Sequence, residues 1–328
     1  MIEHIQGNLY RMSIPLPGSA LKTLNSYVMK SASRNLIVDT GFNQPECLEA
    51  MLAGIKELGL DMSNTDILST HLHADHNGLI SQIISDTSVV YMSGPDRETF
   101  IKYMTDGDAV WGALEDKFRE EGYPEEELDR TREANPARKF VSSKLFDITP
   151  IEDGDVLCYG DMCWLVVVTP GHTAGHVCLY ERNHKILITG DHLLFDITPN
   201  ITWWREMRNS LESYLDSLDK VAQLEVEVAL TAHRNNDGSF YSRIKELKQH
   251  HADRLNDILE IVRETPNISG YGIASKMKWS IRVSSWAEFP AGQRWFAVGE
   301  AIAHINYLVL AGKLLRNNTQ GFNTYTLA

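Results

Sequence analysis

Apolar positions along the first two-thirds of the chain switch between a period of two and a helical period. Residues 24–30 and 35–39 are short apolar runs of strand type, the second ending in Asp39-Thr40-Gly41. Pro45 suits the first turn of a helix, and Leu48, Met51, Leu52, Ile55 and Leu58 keep helical spacing up to Gly59. Residues 66–70 predict a strand that runs into a cluster of histidines. Leu79, Ile80, Ile83 and Ile84 predict a further amphipathic helix, and residues 89–91 a further strand. Three more β-rich runs, at 164–168, 177–180 and 186–188, close in turn-forming residues. A helix over about 209–223 and a strand over 226–230 follow.

Two stretches depart from this alternation. Over 95–142 charge density rises and β-branched residues thin out, which predicts a helical insertion. It is either a solvated decoration or a lid, the second suggested by Tyr103, Met104, Trp111 and Phe118. From about 245 the chain turns helical, with Ala252, Leu255, Ile258, Leu259 and Val262 on one stripe. Shorter helices at 269–277 and 297–313 and a terminal hairpin complete a winged-helix-like pattern. The expected domains are therefore 1–244, with the insertion at about 95–142, and 245–328.

Composition narrows the classes. Hydrophobic residues make up 43% and charged residues 23%, which excludes disorder. No apolar stretch approaches the ~18 to 20 residues of a membrane span, and the N-terminus lacks the pattern of a signal peptide. A cytoplasmic location is the expectation. The four cysteines form no CxxC pair, which favours buried thiols over a disulfide framework. Net charge is −13, unevenly placed: residues 245–328 hold 10 Lys+Arg against 7 Asp+Glu, and residues 1–244 hold 21 against 37. So acidic a body repels phosphate backbones in general, although a local basic groove stays open to it.

The chemistry is concentrated in Thr70-His71-Leu72-His73-Ala74-Asp75-His76-Asn77-Gly78. In an extended segment His71 and His73 point to one side, and a following turn can bring Asp75 and His76 back toward them. Imidazole and carboxylate are the usual ligands of a borderline divalent ion such as zinc. Three later segments add to it: His172 on a turn after an apolar strand, Asp191 at a strand end, and His233 after another strand. Each is weak alone; together and in this order they are specific.

On these motifs the sequence resembles the metallo-β-lactamase superfamily, and within it the hydrolases nearest glyoxalase II, over roughly residues 5–240. The resemblance implies an α/β fold, an αββα sandwich with metals at one edge of the packed sheets. It implies that His71, His73 and His172 hold one metal and that Asp75, His76 and His233 hold the second, with Asp191 between the two. Two divalent ions follow, zinc first, with iron or manganese as alternatives. Such a pair, about 3.5 Å apart, holds a hydroxide near neutral pH, and Asp75 is the candidate proton shuttle. Asp39 is assigned to outer-sphere support or to a turn with equal weight. The resemblance gives His176 a structural role. His192 is a candidate for the pocket wall, His250 and His251 for the surface, and His4 and His304 have no partner in sequence. Trp203, Trp204, Arg205 and Arg208 form either an aromatic and cationic wall or ordinary packing.

The departures direct the functional expectation. Asp rather than Cys at 191 argues against β-lactamase activity, and the tail does not resemble the glutathione-binding tail of glyoxalase II. The expected enzyme is a dinuclear metal-dependent hydrolase acting on a small thioester, ester or lactone. The alternative is a phosphodiesterase or endoribonuclease, since a winged-helix-bearing branch of the superfamily includes one. Against it, residues 297–310 contain no Lys or Arg to enter a groove. The expected partners are a small-molecule substrate and, as an option, a second copy of the chain, with no membrane; nucleic acid is disfavoured but stays open.

Overall fold

Period-two strands sort their side chains between two hydrophobic layers. In β3 (Thr23–Met29) Leu24 and Val28 face one layer while Tyr27 and Met29 face the other. The structure, a computed structural model, describes residues 2–280, 285–319 and 321–328. β3 belongs to a seven-stranded sheet with β1 (Ile2–Gln6), β2 (Leu9–Pro15), β4 (Asn35–Val38), β5 (Thr65–Leu68), β6 (Val90–Ser93) and β7 (Thr149–Ile151), in chain order. A second sheet runs β12-β11-β10-β9-β8, from β8 (Val156–Tyr159), β9 (Met162–Val168), β10 (Val177–Glu181), β11 (Ile186–Gly190) and β12 (Val228–Thr231).

The two sheets face each other. Leu36 and Val38 of the first and Trp164, Val166, Leu179 and Ile188 of the second share one core. The alternate residues of the second sheet, Val167, Cys178, Tyr180 and Leu187, turn outward onto helices. Those helices are α8 (Ser210–Val221) and the start of α9 (Phe240–Glu264). On the first sheet's outer face lie α1 (Pro45–Leu58) and the one-turn helices α2 (Ala74–Asn77) and α3 (Ile80–Ile83). Pro45 starts α1, and Gly59, at φ 63°, ends it in the left-handed conformation. The result is helix, sheet, sheet, helix, as the family resemblance implies.

The insertion folds as α4 (Gly94–Thr105), α5 (Gly107–Glu120), α6 (Glu125–Ala134) and α7 (Pro136–Lys139). It is no solvated decoration. Trp111, Phe118 and Leu128 are buried in one core with Ile258, Val298 and Ile302. These last belong to α9 and to α11 (Ala291–Leu310), which flank α10 (Gly270–Lys276). Phe118 stacks on Trp295 with ring centroids 4.0 Å apart. A small sheet, β13 (Ile268–Ser269), β15 (Phe322–Leu327) and β14 (Leu314–Thr319), closes this unit. The buried Glu121 joins it to the insertion, accepting from Tyr325 Oη at 2.6 Å and from Lys117 Nζ at 2.8 Å. α9 runs unbroken through 244/245, the position at which the sequence pattern divides the chain. Arg282, one of the tail's cations, lies outside the described residues.

Two expectations are corrected. Cys158 and Cys163 form a disulfide, because the β8–β9 hairpin sets them directly opposite each other. Cys47 and Cys178 are the buried thiols. His251 is not at the surface: it is fully buried, with Nδ1 3.0 Å from Nε2 of His304. Helical phase decides this, since His251 falls on the inward face of α9 and half-buried His250 beside it. No helix among the described residues is long and apolar enough to cross a membrane.

Candidate metal centre

Strand ends deliver the polar residues to one edge of the sandwich. β5 ends in the segment with Thr70, His71 and His73, and α2 follows at once with Asp75 and His76. The β9–β10 turn carries His172, the end of β11 carries Asp191, and the end of β12 carries His233. The structure brings all seven together. His71, His73 and His172 form one group, Asp75, His76 and His233 a second, and His71, His76 and Asp191 a third that overlaps both. All are buried except His73, which is half-buried.

In the first group Nδ1 of His73 lies 2.9 Å from Nε2 of His71 and 3.0 Å from Nε2 of His172. Nitrogens around a tetrahedral zinc ion are separated by about 3.3 Å, from Zn–N bonds of ~2.05 Å. The opposite ring nitrogens are held elsewhere. His172 Nδ1 donates to the main-chain oxygen of Asn200 at 2.8 Å, and His71 Nδ1 lies 3.1 Å from the Thr70 hydroxyl. Asp191 stands between the groups. Its Oδ2 is 3.6 Å from His172 Nε2, while its Oδ1 is 3.3 Å from His233 Nε2 and 3.7 Å from His76 Nε2. Asp75 Oδ2 is 3.4 Å from His233 Nε2. His76 Nε2, Asp191 Oδ1 and His233 Nε2 are buried with no hydrogen-bond partner. Buried polar atoms are seldom left so, and three converging on one point fit a bound cation.

The electrostatics divide along the same line. Burial pushes His71 well down, helped by the charges of His76, His73 and His172, and it pushes His73 to about 3. These rings are neutral and ready to ligate. Burial also opposes charge on His233, yet Asp191 and Asp75 outweigh it and raise the ring to about 10. His76 is likewise raised, against burial, by Asp39, Asp75 and Asp191. Against burial, these two rings draw Asp75 down to about 2 and Asp191 well below its usual range. The carboxylates around these two rings thus favour positive charge at this point.

Asp39 forms a turn and also bonds one of the candidate ligands. It sits at φ 62°, a turn conformation, and its carboxylate accepts from Thr70 N at 2.8 Å and from His76 Nδ1 at 2.8 Å. His233 Nδ1 donates to Thr23 O at 2.8 Å. His176 accepts from Asp191 N at 3.1 Å and bonds Thr169 Oγ1 at 2.8 Å. Gly190, φ 50°, gives it room: a Cβ there would lie 2.6 Å from His176 Nε2. His192 is buried beside His176 and Tyr214, with both ring nitrogens unpartnered. Trp204 is buried, lies stacked beside His73 at 6.0 Å and donates to His172 O at 2.9 Å. Arg205 is exposed and Arg208 is on the surface side, and Trp203 lies under Lys117, 5.5 Å from its ammonium.

One residue escapes the sequence altogether. Asp96, at the start of α4, is fully buried and accepts from Leu72 N at 2.9 Å, Thr173 Oγ1 at 2.7 Å and Gly175 N at 2.6 Å. It ties the His71–His73 segment to the His172 turn. Burial raises its carboxyl to about 6 against the pull of these three donors.

Comparison with known proteins follows the same outline. Residues 288–328 match the model of the metallo-beta-lactamase-like C-terminal domain. The chain is 24% identical over 259 residues to lactamase-like protein nscB of Neosartorya fischeri, covering 77% of this chain and 62% of that protein. It therefore spans less than two-thirds of that relative's length. It is 24% identical over 232 residues to acyl-coenzyme A thioesterase MBLAC2 of Homo sapiens, covering 66% of this chain and 74% of that protein. The solved metallo-beta-lactamase family protein TTHA1429 from Thermus thermophilus is similar throughout. Its TM-score is 0.82 at 28% identity, over 98% of this chain and 99% of that one. Residues 23–233, the span from the Thr23 carbonyl to the ring of His233, match the metallo-beta-lactamase superfamily model, and the chain belongs to that superfamily.

Proposed function

We propose that the protein is a dinuclear metal-dependent hydrolase of small thioesters, esters or lactones. The observation that carries this reading is the placement of Asp191, with one oxygen toward each group and its own Oδ1, His76 Nε2 and His233 Nε2 all buried and unpaired. His71, His73 and His172 would hold one ion, and Asp75, His76 and His233 the other, with Asp191 between them. When bound, two such ions, zinc or else iron or manganese, activate a water and polarise the substrate oxygen. The chain's own residues do the rest. The carboxylate of Asp75 takes up the proton released in the attack. Asp39 and Thr23 O hold the rings of His76 and His233 with Nε2 inward. Trp204 stacks beside His73, with ring centroids 6.0 Å apart.

The thioester class draws support from MBLAC2, named an acyl-coenzyme A thioesterase. Three helices followed by the β14–β15 hairpin support the winged-helix-like reading of the tail. The apolar run of α11, expected to face a protein partner, is instead buried in the core shared with the insertion, and residues 297–310 bring no Lys or Arg to a nucleic acid. A screen of metal-loaded protein tests the proposal, with acyl thioesters, lactones and bis(p-nitrophenyl) phosphate beside single-stranded RNA. Turnover of a thioester or lactone and none of RNA is the expected result. Elemental analysis should return two metals per chain, and Asp191→Ala should fold yet lose nearly all turnover. Cleavage of RNA alone would move the assignment to the phosphodiesterase class.

A further inference from the structure

The segment after β11 grips His172 twice. The main-chain oxygen of Asn200 takes the ring proton at 2.8 Å, and the Trp204 indole donates to the main-chain oxygen at 2.9 Å. This segment is itself seated on α11. Asn200 Nδ2 donates to Glu300 Oε2 at 3.1 Å and to Phe296 O at 3.3 Å, and Trp203 N donates to Gly299 O at 3.2 Å. Gly299 allows the approach, since a Cβ there would lie 2.3 Å from Thr202 Oγ1. Glu300 is buried, with its other oxygen 2.9 Å from Arg254 Nε. Carboxylates are almost never buried this far without partners. Here the partners lead from α9 through α11 to the metal-facing ring.

We infer that Glu300 is a positioning residue of the metal centre: through Asn200 it fixes the ring of His172, so the C-terminal unit completes the first metal group. The inference rests on His172 being a metal ligand. Outer-sphere partners of ligating histidines typically change metal affinity 10- to 100-fold. A mere interhelical ion pair between Arg254 and Glu300 would not reach the metal.

The test is competition of full-length protein against a chromophoric chelator for Zn2+. Glu300→Ala and Asn200→Ala should each weaken one site about 10-fold and leave the other within about two-fold. The double variant should be no worse than the stronger single change, because both act through one contact. Glu300→Gln keeps an oxygen for Asn200 and should restore most of the affinity. Unchanged affinity at both sites, with only a lower melting temperature for the metal-free variants, would overturn the inference. If Glu300→Ala fails to fold, Asn200→Ala at its half-buried position decides alone. A wild-type chain that binds no zinc would refute the ligand reading. The ring spectrum of 15N-histidine-labelled, metal-free protein then decides the positioning: the His172 Nδ1 proton should exchange faster with water in Asn200→Ala, and an unchanged rate would count against it.

Discussion

At the scale of single residues the candidate metal centre carries histidines of opposite tendency. Against burial, the surrounding carboxylates raise both His76 and His233, the latter to about 10, so the His233 ring is charged at pH 7. A ligating ring must be neutral, so an ion held by His233 would expel its proton. Calorimetry of Zn2+ binding in two buffers of different ionisation enthalpy should show proton release at pH 7. Apparent affinity should climb as pH rises toward 10. Stability of chelator-treated protein should fall on both sides of neutrality. A ring with a raised pKa contributes fully below 6.5 and loses that contribution as pH passes about 10. His73, lowered to about 3, stays neutral while the unfolded chain takes up protons below 6.5, so acid also destabilises. Thermal melts from pH 4 to pH 10 check both arms. Asp96→Ala should loosen the two histidine segments together and reduce metal affinity about 10-fold or more, measurable by chelator competition. Sequence exposes the histidines because their spacing is local, six residues from His71 to His76. It hides Asp96 and Asn200, whose partners lie far along the chain: Gly175 is 79 residues from Asp96, and Glu300 is 100 residues from Asn200.

At the scale of elements the strands are the most legible part. Each of 164–168, 177–180 and 186–188 is apolar on both faces, as a strand buried between another sheet and a helix must be. Trp164 is fully buried between the sheets, and its indole nitrogen has no partner. Trp164→Ala should cost about 3–5 kcal/mol in denaturant unfolding. Trp164→Phe should cost clearly less, because it also removes an unpaired N–H. The first hairpin, β1 and β2, gives no clear signal in sequence, since it is polar and only partly buried on its outer face. The one-turn helices α2 and α3 are too short for periodicity to resolve. The disulfide is equally hidden: pairing across a hairpin depends on register, and no spacing rule for cysteines encodes it.

At the scale of the whole molecule, the insertion and the C-terminal unit are one body. They share a core and a buried glutamate, although 204 residues separate Glu121 from its partner Tyr325. Truncation after residue 264 should expose the apolar faces of α5 and α6. Expected outcomes are dye binding by exposed hydrophobic surface, a lower melting temperature and loss of turnover, checked by fluorescence and calorimetry. Light scattering of the intact chain should show whether the tail also pairs two copies. Anisotropy with labelled RNA across a salt series should show no steep salt-dependent binding.

The hydrogen bond from His233 to Thr23, across 210 positions, also sets a schedule for biosynthesis. A chain emerges from the ribosome N-terminus first and folds as its partners appear. His71, His73, Asp75 and His76 are all outside long before His172 exists, and His233 comes later still. Any ion met in that interval finds only the first of these side chains, and Thr23 waits with its carbonyl unclaimed. The seven side chains are complete only once residue 233 has been made, with 95 residues still to follow, and a chain halted before that point leaves the synthesis machinery with the group of Asp75, His76 and His233 incomplete.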